Sequence, residues 1–187
     1  MNLPLILTLG RVAAIPLVLV LFYLPWPHGR QLATVLFAAA GITDWIDGWL
    51  ARRWNQTSKF GAFLDPVADK LLVAVCLAVL LRDHSGGGGV VLAVVVAIII
   101  GREITVSALR EWMAELGQRT SVAVSSIGKV KTGFQMVAIG MMIWQKDIFG
   151  LPVYWLGYIL LLISAVLTVW SMAMYLRAAW PLMKEQS

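Results

Sequence analysis

Residues 43–69 read TDWIDGWLARRWNQTSKFGAFLDPVAD, and four of the chain's ten acidic residues stand there: Asp44, Asp47, Asp65 and Asp69. The sequence on either side is almost free of charge. Gln31 to Thr43 and Leu71 to Leu81 hold no Asp, Glu, Lys or Arg. The same is true of Val12 to Gly29, His84 to Gly101, Thr132 to Gln145 and Ile148 to Leu176. At about 1.5 Å rise per residue, a helix needs about 20 mostly apolar residues to cross a membrane. The pattern predicts six helices, near 5–25, 31–52, 60–81, 89–112, 128–145 and 152–177. The second to the fifth reach spanning length only by including charged residues near one end. One side of the bundle is therefore expected to be polar inside.

Composition supports a membrane protein. Of 187 residues, 60% are hydrophobic and only 13% are charged, against about 25% charged in an ordinary soluble domain. This is the reverse of a disordered chain. Cys76 is the single cysteine, so a disulfide scaffold is excluded, and only His28 and His84 remain for a zinc site. The length suits one domain, 1–187. The net charge of +5 is read as attraction to anionic lipid headgroups rather than to nucleic acid.

Breaks fall between the predicted spans. Leu24-Pro25-Trp26-Pro27 ends the first, Gly86 to Gly89 reads as a loop, and Pro152 and Pro181 bracket the last. Trp26, Trp54, Trp144, Trp155 and Trp180 lie near helix ends, where interfacial aromatics belong. Pro4 and Pro16 leave open whether the first segment is one helix or two. No removable signal peptide is expected, since the N-terminus has no charged n-region or cleavage site. Six spans put both termini on one side. All of the 15 Lys and Arg residues except Arg30, Arg82 and Lys146 fall on that side. By the positive-inside rule it is cytoplasmic.

Asp44 and Asp47 are three apart and share a helix face; Asp65 and Asp69, four apart, share another. A short loop joins the two helices, so four carboxylates converge just inside the membrane. Asp65 before Pro66 also suits a helix cap, but capping does not account for the set. One centred Asp costs roughly 2.5–3.5 kcal/mol to insert. Arg52, Arg53 and Lys59 lie toward the loop, and Lys70 is off the Asp69 face. Two divalent cations would balance the four charges, and hard oxygen ligands suit Mg²⁺ or Mn²⁺. Gly48 and Ala51 follow Asp44 on its face, and Gly61 precedes Asp65 on its own. They open a slot beside the acids, or else serve close helix packing. Arg52 can address a phosphate bidentately, or anchor the helix at the interface. A local bend is expected at Pro66, which cannot donate to the Ala62 carbonyl.

The pattern D-x-x-D-G-x-x-A-R-x8-G-x-x-x-D-x-x-x-D is complete from Asp44 to Asp69, and it resembles the signature of the CDP-alcohol phosphatidyltransferases. NLPLILTLGR at the start, GREITVSALREWMAELG from Gly101, and IGKVKT from Ile127 extend the resemblance over most of the chain. Gly10 departs from it, standing where a bulkier residue is expected. The resemblance implies an all-α, polytopic membrane protein. Its six transmembrane helices would surround a cytoplasm-facing polar cavity, in the bacterial cytoplasmic (inner) membrane and usually as a homodimer.

It also implies transfer of a phosphatidyl group from CDP-diacylglycerol to an alcohol, here sn-glycerol 3-phosphate, with release of CMP. Carried over by position, Asp44, Asp47 and Asp65 hold one metal, and Asp44, Asp65 and Asp69 a second. Gly48, Ala51, Arg52, Ser58 and Gly61 line the CDP-diacylglycerol site, with Thr8 and Arg11 approaching the nucleotide. Asp69 is the expected general base. The acceptor's phosphate needs cations, and Arg102, Arg110, Lys129 and Lys131 are the candidates; each could instead be an interfacial anchor. Other acceptors would share the motif: serine, inositol phosphate or phosphatidylglycerol. A divalent-cation or proton carrier would also use membrane carboxylates. It has no use for Gly and Arg at fixed spacing, and its acids would form a path rather than a cluster at one side.

Overall fold

The computed structural model describes residues 3–54, 59–84, 88–115 and 126–184, with side chains except at 3–5, 45, 47–54, 59, 62, 110, 115, 126–130, 178, 179 and 181–184. Six helices follow one another: α1 (Leu3–Tyr23), α2 (Gly29–Trp54), α3 (Lys59–Asp83), α4 (Gly89–Glu115), α5 (Ser126–Trp144) and α6 (Val153–Lys184). The described residues contain no strand, only an isolated bridge between Ile148 and Leu151. Three helices carry windows long and apolar enough to cross a membrane: Ile6–Tyr23, Gly89–Ala114 and Val153–Arg177. Their outer faces are apolar, with Leu17, Val20, Val90, Ile104, Val166 and Trp170 all exposed. In water such surface would be a liability; in a bilayer it is the solvated face.

The chain packs as two compact units, each assembled from separated stretches. One comprises Met1–His84 and Met136–Tyr158, the other Ser85–Gln135 and Ile159–Ser187. In the first unit α1 packs against both α2 and α3. The buried stripe of α1 is Thr8, Arg11, Ala14, Val18 and Phe22, at the three- and four-residue steps of a helix face. That of α2 is Ala33, Phe37 and Ala40, and the next step is Asp44. That of α3 is Ala68, Leu72, Cys76 and Leu80, and stepping back from Leu72 reaches Asp69 and Asp65. Each apolar stripe thus turns polar at one end.

α1 is undivided: Pro4 lies in its first turn and Pro16 inside it. It ends where Leu24 precedes Pro25, a position that disfavours helix. The turn into α2 is tight, with Trp26 N–H donating to the Leu24 carbonyl at 2.7 Å and Gly29 N–H to that of Trp26 at 3.0 Å. Gly29 has to be glycine, because a Cβ there would stand 2.5 Å from the Leu21 carbonyl oxygen. α3 runs through Pro66 without interruption and begins at Lys59. Asp65 is therefore interior and caps no helix. Gly89 starts α4, so the glycine run is only partly loop, and Gly86 and Gly87 lie outside the described residues.

At the far end of the first unit, Arg30 of α2 forms a bidentate pair with Asp83 of α3, at 2.8 and 2.7 Å. The same guanidinium lies 4.4 Å over the Phe22 ring of α1. α1, α2 and α3 are thus tied at both ends. α5 joins α6 by a turn in which Phe149 and Gly150 both have positive φ, 52° and 78°. Ile148 and Leu151 exchange backbone hydrogen bonds across it, the geometry of a type I′ turn. In the second unit Val106, Leu109 and Met113 of α4 pack with Tyr175 of α6.

Candidate functional site

The polar end of the first unit is built from three helices. Arg11, with its side chain fully buried, aims one guanidinium nitrogen between two carboxylates. Its Nη1 lies 2.9 Å from Asp44 Oδ1 on α2 and 2.8 Å from Asp69 Oδ1 on α3. Thr8, one turn earlier on α1, donates its hydroxyl to Asp65 Oδ1. Asp44 and Asp69 thus meet at one guanidinium, and Asp65 is held by the hydroxyl one helical turn away on α1. The Asp44 and Asp69 side chains stay 42% exposed although their shared partner is fully buried. Each carboxylate thus retains surface that a ligand can reach.

The sequence gives the balancing charge to divalent cations and sets Thr8 and Arg11 near a nucleotide. The structure puts both on the carboxylates themselves. No local spacing rule links residues 58 apart in sequence. The available signal was a lone arginine on the buried stripe of an apolar helix, where an unpaired charge would be costly.

Among the described residues no three His, Cys, Asp or Glu side chains form a group that could hold a metal ion. The donors nevertheless suit a hard divalent cation: all are carboxylate oxygens, and the point between Asp44 and Asp69 already accommodates positive charge. Asp47, Gly48, Ala51 and Arg52 lie on α2, but nothing beyond their helical backbone is described, and Ser58 lies outside the described residues. Gly61 is buried on α3, four residues before Asp65.

The second unit holds its own polar cluster. Glu103 Oε1 accepts from Arg102 Nη1 at 2.9 Å and from Lys131 Nζ at 2.7 Å. Arg102 Nη2 donates to Ser171 Oγ at 3.2 Å, and that guanidinium sits 5.9 Å over the Tyr175 ring. Lys131 is 1% exposed and Arg102 7%. Neither is an interfacial anchor reaching for water. Two cations share one carboxylate, leaving one positive charge in excess. Arg102 Nε and Thr168 Oγ1 are buried without a hydrogen-bond partner among the described residues. The structure thus brings together two of the four expected acceptor cations, and adds Glu103 and Ser171 to them. Arg110 on α4 and Lys129 on α5 are helical, with side chains outside the description.

The family model described as CDP-alcohol phosphatidyltransferase matches residues 1–170, and the chain belongs to that family. It is accordingly an enzyme, a transferase of membrane character, in a family that uses divalent metals. Among its relatives is a Salmonella typhimurium protein, strain LT2, 54% identical over 178 residues that cover 95% of this chain and 94% of the relative. Relatives in Shigella flexneri and Escherichia coli K12 are 53% identical over the same coverage. All three are named CDP-diacylglycerol–glycerol-3-phosphate 3-phosphatidyltransferase.

Proposed function

We propose that this chain transfers the phosphatidyl group of CDP-diacylglycerol to sn-glycerol 3-phosphate, giving phosphatidylglycerophosphate and CMP. The observation that carries the proposal is the meeting of Asp44 and Asp69 at Arg11, with Asp65 held by Thr8 from the same helix, within a complete family motif. The relatives' shared name supplies the substrate pair.

In this reading Asp44, Asp47 and Asp65 hold one divalent cation, and Asp44, Asp65 and Asp69 a second. When bound, Mg²⁺ or Mn²⁺ would neutralise the pyrophosphate and the charge developing on the CMP leaving group. Gly48, Ala51 and Gly61 leave room for the nucleotide, while Arg52 and Ser58 contact it. Arg11 and Thr8 orient Asp44, Asp65 and Asp69 until substrate arrives. Asp69 takes the proton from the attacking glycerol hydroxyl as the new oxygen–phosphorus bond forms and the bond to CMP breaks. The acceptor's phosphate is assigned to Arg102, Arg110, Lys129 and Lys131. The buried excess positive charge around Glu103 favours a phosphorylated acceptor over serine. All six helices are taken as spans around a cytoplasm-facing cavity in the inner membrane. The protein is taken to be a homodimer.

The test is an assay of purified protein in detergent with CDP-diacylglycerol and Mg²⁺, following CMP release. Glycerol 3-phosphate, serine, inositol phosphate and phosphatidylglycerol are offered separately. Release is expected with glycerol 3-phosphate alone, and Asp69→Asn should lower it at least about 100-fold, the usual scale of a lost general base. Chelation should abolish it and Mg²⁺ restore it. Release with another alcohol would move the acceptor assignment. No release with any alcohol from a folded protein would overturn the transferase chemistry.

A further inference from the structure

At the end of the first unit remote from the acids lies a cavity of about 470 Å³, lined among others by Phe22, Trp26, Arg30, Gln31, Trp144 and Lys146. Arg30 and Asp44 are fourteen positions apart on α2, about 20 Å along its axis. The cavity is therefore separate from the carboxylate site. Its volume is within the range of sites that take small ligands, roughly 300–1,000 Å³.

Two cations and no acid line it. The Arg30 charge is answered from outside by Asp83. Lys146 is different: no carboxylate pairs with it among the described residues, and its Nζ donates only to the Pro27 carbonyl, at 3.2 Å. The neighbouring Asp147 is exposed and does not line the cavity. Trp144 Nε1, a donor, and Gln31 Oε1 are buried without a hydrogen-bond partner among the described residues. From the rim an apolar stripe runs from Leu24, just past the end of α1, down the helix's outer face through Val20 and Leu17, each exposed by 44% or more. These residues share one helix face at three- and four-residue steps.

We infer that this cavity binds the headgroup of an anionic phospholipid, with one acyl chain lying along the Leu17–Val20–Leu24 stripe. Lys146 supplies the charge for the phosphate. Trp144 offers an indole N–H, and Trp26, 55% exposed, covers the glycerol region as interfacial tryptophans do. A free phosphate would use the same cation but would not extend onto the bilayer-facing stripe. The continuity of the rim with that stripe is the observation that favours a lipid.

The test is native mass spectrometry of the full chain released from detergent, titrated with phosphatidylglycerol or phosphatidylcholine. The unmodified chain should retain phosphatidylglycerol in preference. Lys146→Gln should weaken that retention about fivefold, the effect of one cation near an anionic lipid surface. It should leave CMP release and phosphatidylcholine retention unchanged. Arg177→Gln, at an exposed cation that does not line the cavity, should change neither. Trp26→Ala should weaken retention of phosphatidylglycerol without altering net charge. Equal losses in the Lys146 and Arg177 variants would show a general charge effect and overturn the site. So would no loss with either Lys146→Gln or Trp26→Ala. Displacement of the lipid by millimolar inorganic phosphate or glycerol phosphate would make this a free-anion site and overturn the lipid assignment.

Discussion

Arg11 is held by two carboxylates from two different helices, so removing it unpairs both at once. Arg11→Gln should lower the stability of the metal-free protein by about 1–3 kcal/mol, the scale of lost charged hydrogen bonds. The half-exposure of Asp44 and Asp69 keeps the loss below that of a fully buried pair. The same vacated point should then be open to Mg²⁺, and a ligand that binds only the folded state stabilises it. The expected result is a larger rise of the melting midpoint with Mg²⁺ for the variant than for the parent. Equal rises would mean that Arg11 and the cation do not share the two acids. Glu103 presents the converse case. Glu103→Gln leaves Lys131 and Arg102 buried without a countercharge, which should cost roughly 3–5 kcal/mol. Millimolar glycerol 3-phosphate should restore more midpoint to this variant than to the parent if these cations take the acceptor's phosphate. The acids were legible in sequence because each pair lies within one helical turn. Arg11 on Asp44 and Asp69, and Lys131 on Glu103, were not, because those pairs form only through tertiary packing.

Helix boundaries were legible to within a few residues wherever charge or proline punctuates the chain. The charge-free run from Gln31 predicts a helix over 31–52, and α2 occupies Gly29–Trp54. The longest misjudged end is that of α6, which continues past Arg177 to Lys184, with Pro181 inside its last turn. Here proline near a helix end did not mark its stop. At the α5–α6 contact, close approach decides what a position tolerates. A Cβ on Gly157 would stand 2.9 Å from the Ala138 carbonyl oxygen and 2.9 Å from Met141 Cβ. Backbone cannot yield as a flexible side chain does, so Gly157→Ala should force the helices apart at a cost of about 1–3 kcal/mol. Gly140→Ala on α5 is the matched control, since its Cβ would meet the Thr34 methyl and the Phe37 ring at ordinary distances of 3.8 and 4.0 Å. That variant should be neutral or slightly stabilised, because alanine is the better helix former. Thermal unfolding in one detergent compares the two. Equal destabilisation would show that α5 and α6 are not in close contact at Gly157.

The number of membrane crossings is a property of the whole chain, and it decides where the termini lie. Among the described residues only α1, α4 and α6 qualify as spans by length and composition; three crossings would put the termini on opposite sides. Six crossings put them on one side. The ties of α2 and α3 to α1, together with the close contacts of α5 with α6 at Gly157 and with α2 at Gly140, support the larger number. α1 carries a span, and α2 and α3 run alongside it from Arg11, paired with Asp44 and Asp69, to Phe22, covered by the Arg30–Asp83 pair. Helices fastened to a spanning helix at both ends would traverse the same depth, whatever charge they carry at one of those ends. Cys76, the one native thiol, is buried, so single introduced cysteines can report sidedness with little background. Cysteines at Asn2 and Gln186 should both react with a membrane-impermeant maleimide only when the cytoplasmic face is presented. A cysteine at Asp147, in the exposed α5–α6 turn, should react only from the opposite face. Labelling of the two terminal positions from opposite faces would make the number of crossings odd and overturn six.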